Sequence, residues 1–113
     1  MINTKVESRV ANFVKAIEND TRVTKVVIIG KAITDEPFKE EDTIDLCIYT
    51  NVSEDDIPLA HYDLENIAIK TTQNQYDIYM MSDPRIAEIV ENVIDKGEVV
   101  YERKTWRIRI KHD

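Results

Sequence analysis

Residues 23–49 contain two apolar runs separated by an acidic segment, and they have the residue types of a phosphate or metal site. The first run ends at Gly30, and the second carries one embedded carboxylate, Asp45. Two strands joined by a turn at Gly30 and a charged connection would bring Asp45 beside Gly30 at one end of a sheet. Glycine lets a backbone approach a ligand closely, and carboxylate oxygens are ligands that Mg²⁺ prefers.

The order of these motifs resembles the nucleotidyltransferase superfamily of DNA polymerase beta, and most closely its smallest members, the MNT (minimal nucleotidyltransferase) proteins. In that family a strand ends in Gly-Ser and the next strand opens with Asp-x-Asp. The matching residues here are Gly30-Lys31 and Thr43-Ile44-Asp45, and Asp77 in a later apolar segment fits the third family carboxylate. Gly97 and the sequence VVYER at 99–103 look like the Gly-x-x-x-Tyr-Glu-Arg ending of small members. The resemblance covers about residues 5–103.

The resemblance implies a nucleotidyl-transfer site, in which three carboxylates hold two divalent cations. Asp45 and Asp77 are the remnant catalytic and metal-binding carboxylates, while the third family position is Thr43. Asp42 is the candidate substitute, although strand alternation directs it to the opposite face from Asp45 unless a bulge intervenes.

At the nucleotide-binding turn formed by Gly30 and Lys31, the lysine replaces the family serine and offers a phosphate only a point charge. A solvated lysine after a turn, and strand-end carboxylates satisfied by backbone donors, are the structural alternatives for Lys31, Asp45 and Asp77. We therefore expect weak or absent metal binding and no cofactor, with Mg²⁺ and ATP required only if the protein is active.

Three functions are open, two of which follow from the resemblance and the third from the acidic composition alone. The first is a catalytically degenerate MNT-like domain that acts by protein binding, because proteins of this type are often antitoxins that work with a HEPN-domain RNase toxin. The second is an active Mg²⁺-dependent transferase that moves AMP or another nucleotide to a protein or small molecule. The third is an acidic mimic of nucleic acid that inhibits a basic partner.

Composition limits these alternatives. The chain has 113 residues and a formal net charge of −7, which predicts a single domain and argues against general nucleic-acid binding. It has no long apolar run, so we expect a cytoplasmic protein without membrane contact, and the oligomeric state stays open.

The lone Cys47 lies in an apolar run and is expected in the core. Basic and apolar residues alternate in 104–113, which suggests an extra basic edge strand.

The elements that would position the site are an α/β (α+β) set, namely a mixed sheet of about four strands with helices mainly on one face. Periodicity predicts a helix over 4–19, opened by a Thr4–Glu7 capping box, and strands over 23–29, 44–49 and 75–81. A helix is expected from Ser53, although 65–70 also fits a strand. A last helix, capped by Ser82, is expected to bury Ile86, Ile89, Val90, Val93 and Ile94 and to end at Gly97.

Overall fold

The computed structural model describes residues 1–103, which form a four-stranded mixed sheet and four helices. The helices are α1 (Glu7–Ile17), α2 (Ile57–Thr72), α3 (Pro84–Ile89) and α4 (Glu91–Ile94). The strands are β1 (Val23–Ile29), β2 (Ile44–Thr50), β3 (Tyr76–Met80) and β4 (Glu98–Glu102). This architecture confirms the predicted fold class. The edge strand predicted for 104–113 lies outside the described residues.

The strands lie in the order β3-β2-β1-β4, with β1 antiparallel to both of its neighbours. Strand β3 runs parallel to β2, and a parallel neighbour needs a crossover connection, which α2 supplies. The connection between β1 and β2 includes one 3-10 turn, Gly30–Ile33, which agrees with the predicted polar loop. No helix in residues 1–103 has the length and apolar character needed to cross a membrane.

Helices α1 and α2 pack on one face of the sheet and form its main core. From α1 the core takes Phe13 and Ile17, and from β2 it takes the alternate residues 44, 46 and 48, all fully buried. The opposite face of the sheet carries a smaller cluster, consisting of Val27, Ile29, Cys47 and Val90. Cys47 is confirmed as a core residue, because its side chain is buried and desolvation, with the nearby Asp45 charge, raises the pKa of its thiol to about 12.

The first two helices differ in their bounds from the sequence prediction: α1 is shorter than 4–19 at both ends, and α2 begins at Ile57, after a 3-10 turn at Glu54–Asp56, instead of at Ser53. Helix α1 begins at Glu7 with no side-chain cap, so the Thr4–Glu7 capping box is wrong; instead the Asn3 side chain accepts a hydrogen bond from the Lys5 backbone N–H. Helix α2 continues to Thr72, which decides the open assignment of 65–70 in favour of helix. Burial of one residue in each successive turn of α2 against the core stabilises a segment that local propensity left undecided.

The segment 84–97 is the least accurate part of the prediction. It forms two short helices, and only Val90 of the five-residue stripe is buried, while Ile89 is 69% exposed. The Asp83 carboxylate, not Ser82, caps α3 by accepting from the Arg85 N–H. The Ser82 hydroxyl lies instead in hydrogen-bond contact with Thr50 on β2, so tertiary contact takes the side chain away from the helix end.

Gly97 is required for close packing rather than for a left-handed helix end. Its φ angle is not positive, but a Cβ atom there would lie 2.5 Å from Val27 Cγ1 and 2.9 Å from the Ile28 carbonyl oxygen. The backbone entering β4 therefore sits directly against β1, and a side chain would push the two strands apart.

We expect Gly97→Ala to lower the free energy of unfolding by about 1–3 kcal/mol, because the added methyl overpacks the β1–β4 contact. At a glycine where a methyl group fits without strain, the same change would instead stabilise the protein by about 0.4–1 kcal/mol, because alanine lowers the conformational entropy of the unfolded chain. Urea denaturation gives the sign directly. Lys96→Ala, at the exposed preceding residue, is the matched control, and an equal or smaller loss at Gly97 would contradict the overpacking argument.

Candidate functional site

The candidate site lies where β1 ends and β2 begins. Gly30 follows β1 with φ of 78°, a left-handed conformation that glycine adopts without steric cost. Asp45 pairs with Ile29 across the two strands, and a Cβ on Gly30 would lie 2.6 Å from Asp45 Oδ2. The predicted proximity of Gly30 and Asp45 is therefore confirmed, and the missing side chain at Gly30 makes the space that the carboxylate occupies.

Asp45 and Asp77 are neighbours on adjacent parallel strands. They are direct partners in the register of β2 and β3, so their side chains lie on the same face of the sheet. Asp45 is half-buried and Asp77 is exposed. Burial and the nearby Asp77 charge raise the pKa of Asp45, while a hydrogen bond from Thr43 opposes the rise. Two carboxylates on adjacent strands repel each other when both are ionised, and this repulsion lowers the stability of the folded protein.

Thr43 occupies the position at which a third carboxylate is expected. Its hydroxyl donates to Asp45 Oδ1 over 3.0 Å, so Thr43 and Asp45 share a face as the alternation predicts. The adjacent residues Ile44 and Leu46 are buried on the other face. Asp45 thus has an uncharged hydrogen-bond donor where the resemblance implies a metal ligand.

Asp42 makes contacts of a different kind. Its Oδ2 accepts hydrogen bonds from Lys31 Nζ and from the Lys39 backbone N–H, both at 2.8 Å. The Lys31 ammonium lowers the pKa of Asp42, and the Asp42 carboxylate in turn raises the pKa of Lys31. Lys31 is therefore not a free lysine after the turn, because its charge is paired with Asp42.

The residues predicted for the site are thus brought to one end of the sheet in two groups. Gly30, Thr43, Asp45 and Asp77 lie together, while Lys31 pairs with Asp42. Within residues 1–103, no group of three or more His, Cys, Asp or Glu side chains is arranged to hold a metal ion. The catalytic, nucleotide-binding and metal-binding roles of these residues stay predictions.

The sequence prediction missed a polar cluster centred on Asn74. This amide donates to the backbone oxygens of Asp42 and Gln75 over 2.9 Å and accepts from Arg9 Nη1 over 2.6 Å. It connects the start of β2 with the turn before β3, and it follows Gln73, whose φ is positive at 48°. The available signal was the polar sequence TTQNQ between two apolar segments, which is typical of a turn with side-chain hydrogen bonds.

The chain matches no protein-family model and shows no significant similarity to a curated protein. The resemblance to MNT proteins therefore rests on the motif residues alone.

The raised pKa of Asp45 predicts that its charge destabilises the protein at neutral pH. The folded protein holds this proton more tightly than the unfolded chain, so the cost of ionisation is absent below the unfolded pKa and develops as pH rises through the folded pKa. We expect Asp45→Asn, which keeps an oxygen acceptor for Thr43, to stabilise by about 0.5–1 kcal/mol at pH 7. Urea denaturation at pH 7 and about pH 3 measures the gain, which should vanish at the lower pH.

Asp42→Asn is the matched control, with the opposite sign. The lowered pKa of Asp42 means that its charge contributes stability above the unfolded pKa, and this contribution is lost as pH falls through the folded pKa. We therefore expect Asp42→Asn to destabilise the protein at pH 7. A loss of stability in Asp45→Asn at pH 7 would contradict the argument that burial and the neighbouring Asp77 charge make an ionised Asp45 destabilising.

Proposed function

We propose that this protein is a catalytically degenerate nucleotidyltransferase-like domain of the MNT type, which acts by binding another protein. The observation that carries the proposal is the hydrogen bond from Thr43 to Asp45. Thr43 places a neutral hydroxyl where the resemblance implies a third metal ligand. Two carboxylates and a hydroxyl neutralise only part of the charge of two divalent cations and therefore bind them weakly, and nucleotidyl transfer depends on both cations.

The pairing of Lys31 with Asp42 supports the same conclusion. In the resembled family a serine at this turn contacts the phosphate, whereas here the side chain is committed to a carboxylate 2.8 Å away. A phosphate would have to compete with Asp42 for the ammonium. The same pair occupies the Asp42 oxygen that would otherwise be free to act as a substitute metal ligand.

Exposed apolar side chains on α2 support a protein partner. Leu59, Tyr62 and Ile69 follow helical spacing along one side of α2, and each is 60–64% exposed. Large apolar side chains that are exposed on the same side of a helix are candidates for contact with a partner protein. Three consecutive acids, Glu54, Asp55 and Asp56, precede the helix, so a partner with a basic surface would gain both apolar and electrostatic contacts. We take this α2 surface as the binding face for a HEPN-type toxin.

Calorimetry with Mg²⁺ and ATP tests the loss of catalysis. We expect no metal-dependent binding in the micromolar range for the parent protein. Thr43→Asp combined with Lys31→Ser restores the family pattern and should raise Mn²⁺ or Mg²⁺ affinity above the parent, because it adds a carboxylate on the same face as Asp45 and Asp77. Thr43→Asn with Lys31→Ser is the matched uncharged control. Micromolar, metal-dependent ATP binding by the parent would refute the proposal and favour an active transferase.

Co-expression with a HEPN-domain protein from a neighbouring reading frame tests the protein-binding half of the proposal. We expect the two proteins to co-purify, and Leu59→Ser with Tyr62→Ser to abolish co-purification by removing the apolar contact. Ile89→Ser, which removes an equally exposed apolar side chain on α3, is the control and should leave the complex intact. Melting temperatures of all variants establish that they are folded. Complex formation unchanged by the α2 variant would exclude the α2 surface as the binding face.

A further inference from the structure

A cleft of about 600 Å³ lies between the start of α1, the loop before β2 and the turn from α2 to β3. Three of its lining side chains are cationic, namely Lys5, Arg9 and Lys39, and one, Glu40, is acidic. The other lining residues are Phe38, Gln73, Asn74 and Gln75. Positive charge is therefore concentrated in one cleft of a protein whose formal net charge is −7.

Arg9 is held in this cleft by a neutral partner. The Asn74 amide group donates to the backbone oxygens of Asp42 and Gln75, which fixes the orientation of the side chain and directs its Oδ1 to Arg9 Nη1. A guanidinium has five N–H donors, and this contact is the only side-chain hydrogen bond of Arg9 within residues 1–103. Asn74 thus positions the guanidinium without neutralising its charge.

The three cations of the cleft also lack ion pairs within the described part of the chain. Salt bridges there join acids to Arg22, Lys31, Arg85, His61 and the N-terminus, and none involves Lys5, Arg9 or Lys39. The carboxylate of Asp42, three residues after Lys39, is paired with Lys31 instead. Like charges collected in a concave site raise the local potential and attract anions.

The lining defines the chemistry of the ligand. A guanidinium binds phosphate oxygens through parallel hydrogen bonds, and two ammonium groups add point charges around it. Phe38, which is almost fully buried, gives the cleft an apolar wall, and the amides of Gln73 and Gln75 offer donors and acceptors for uncharged polar groups. The volume lies within the roughly 300–1,000 Å³ range of small-molecule sites.

We propose that this cleft binds a small phosphate-bearing anion with two or more negative charges, and that it does so without a metal ion. The cleft is separate from the site at Gly30 and Asp45. Phe38 belongs to the core on the face of the sheet covered by α1 and α2, whereas Asp45 alternates with the buried residues of that core and lies on the opposite face. The proposal therefore does not depend on any nucleotidyltransferase ancestry.

Pyrophosphate titrated into the ¹⁵N-labelled full-length chain, at low ionic strength and with a chelator to exclude divalent metals, tests the site by NMR. We expect the backbone amides of residues 5, 9, 39 and 73–75 to shift together and to saturate. Arg9→Gln should weaken pyrophosphate binding about tenfold or more, because it removes the charge-assisted hydrogen bonds. Lys15→Gln, which makes the same charge change elsewhere on α1, should leave the affinity unchanged.

Further titrations distinguish specific binding from general attraction. Inorganic phosphate should bind more weakly at the same residues, and citrate should bind more weakly than pyrophosphate. Lys39→Gln, on the loop, serves as a second variant if Arg9→Gln does not fold. Shifts centred outside the cleft, including on residues 104–113, would overturn the proposal. So would equal weakening by the cleft and Lys15 variants, or citrate binding as tight as that of pyrophosphate.

Discussion

The pairing of β1 with β2 is the interaction on which the other features of the structure depend. Strand β1 is bonded on both edges, by β2 and by β4, and the even and odd residues of its second half are buried in two different cores. A strand enclosed in this way has one register that buries both faces. That register sets Ile29 opposite Asp45, and so it fixes where the turn at Gly30 meets the carboxylate.

The second consequence of this register concerns charge. With β2 fixed by β1, the parallel addition of β3 sets Asp77 beside Asp45, and burial of Asp45 prevents water from screening the pair fully. Two adjacent carboxylates at this position lower the stability of the fold, and the proposed function accounts for them as what remains of a metal site in which Thr43 replaces the third carboxylate.

Polar contacts between distant segments complete the end of the sheet where the site lies. Asp42 accepts hydrogen bonds from the Lys31 side chain and from the Lys39 backbone N–H, while Asn74 connects Asp42 to the turn before β3 and orients Arg9. The loop that contains Asp42 therefore places this candidate metal ligand in an ion pair with Lys31, and it also contributes side chains to the cationic cleft. Both features depend on a fixed conformation of residues 38–42, which the buried side chain of Phe38 anchors in the core.

Local sequence patterns predicted β1, β2 and β3, helix α1, the first half of α2 and the neighbourhood of Gly30 and Asp45, because periodic burial and a glycine after a strand act within a few residues; they did not predict β4 as a strand. They failed where distant contacts decided the outcome. Ser82 bonds to Thr50 instead of capping α3, and Gly97 is needed for its contact with β1 instead of for a helix end. The ion pair of Lys31 with Asp42 and the network around Asn74 join residues 11 to 65 positions apart. Only the tertiary structure decides such contacts, because sequence periodicity carries no information about which polar side chains meet when the chain closes on itself.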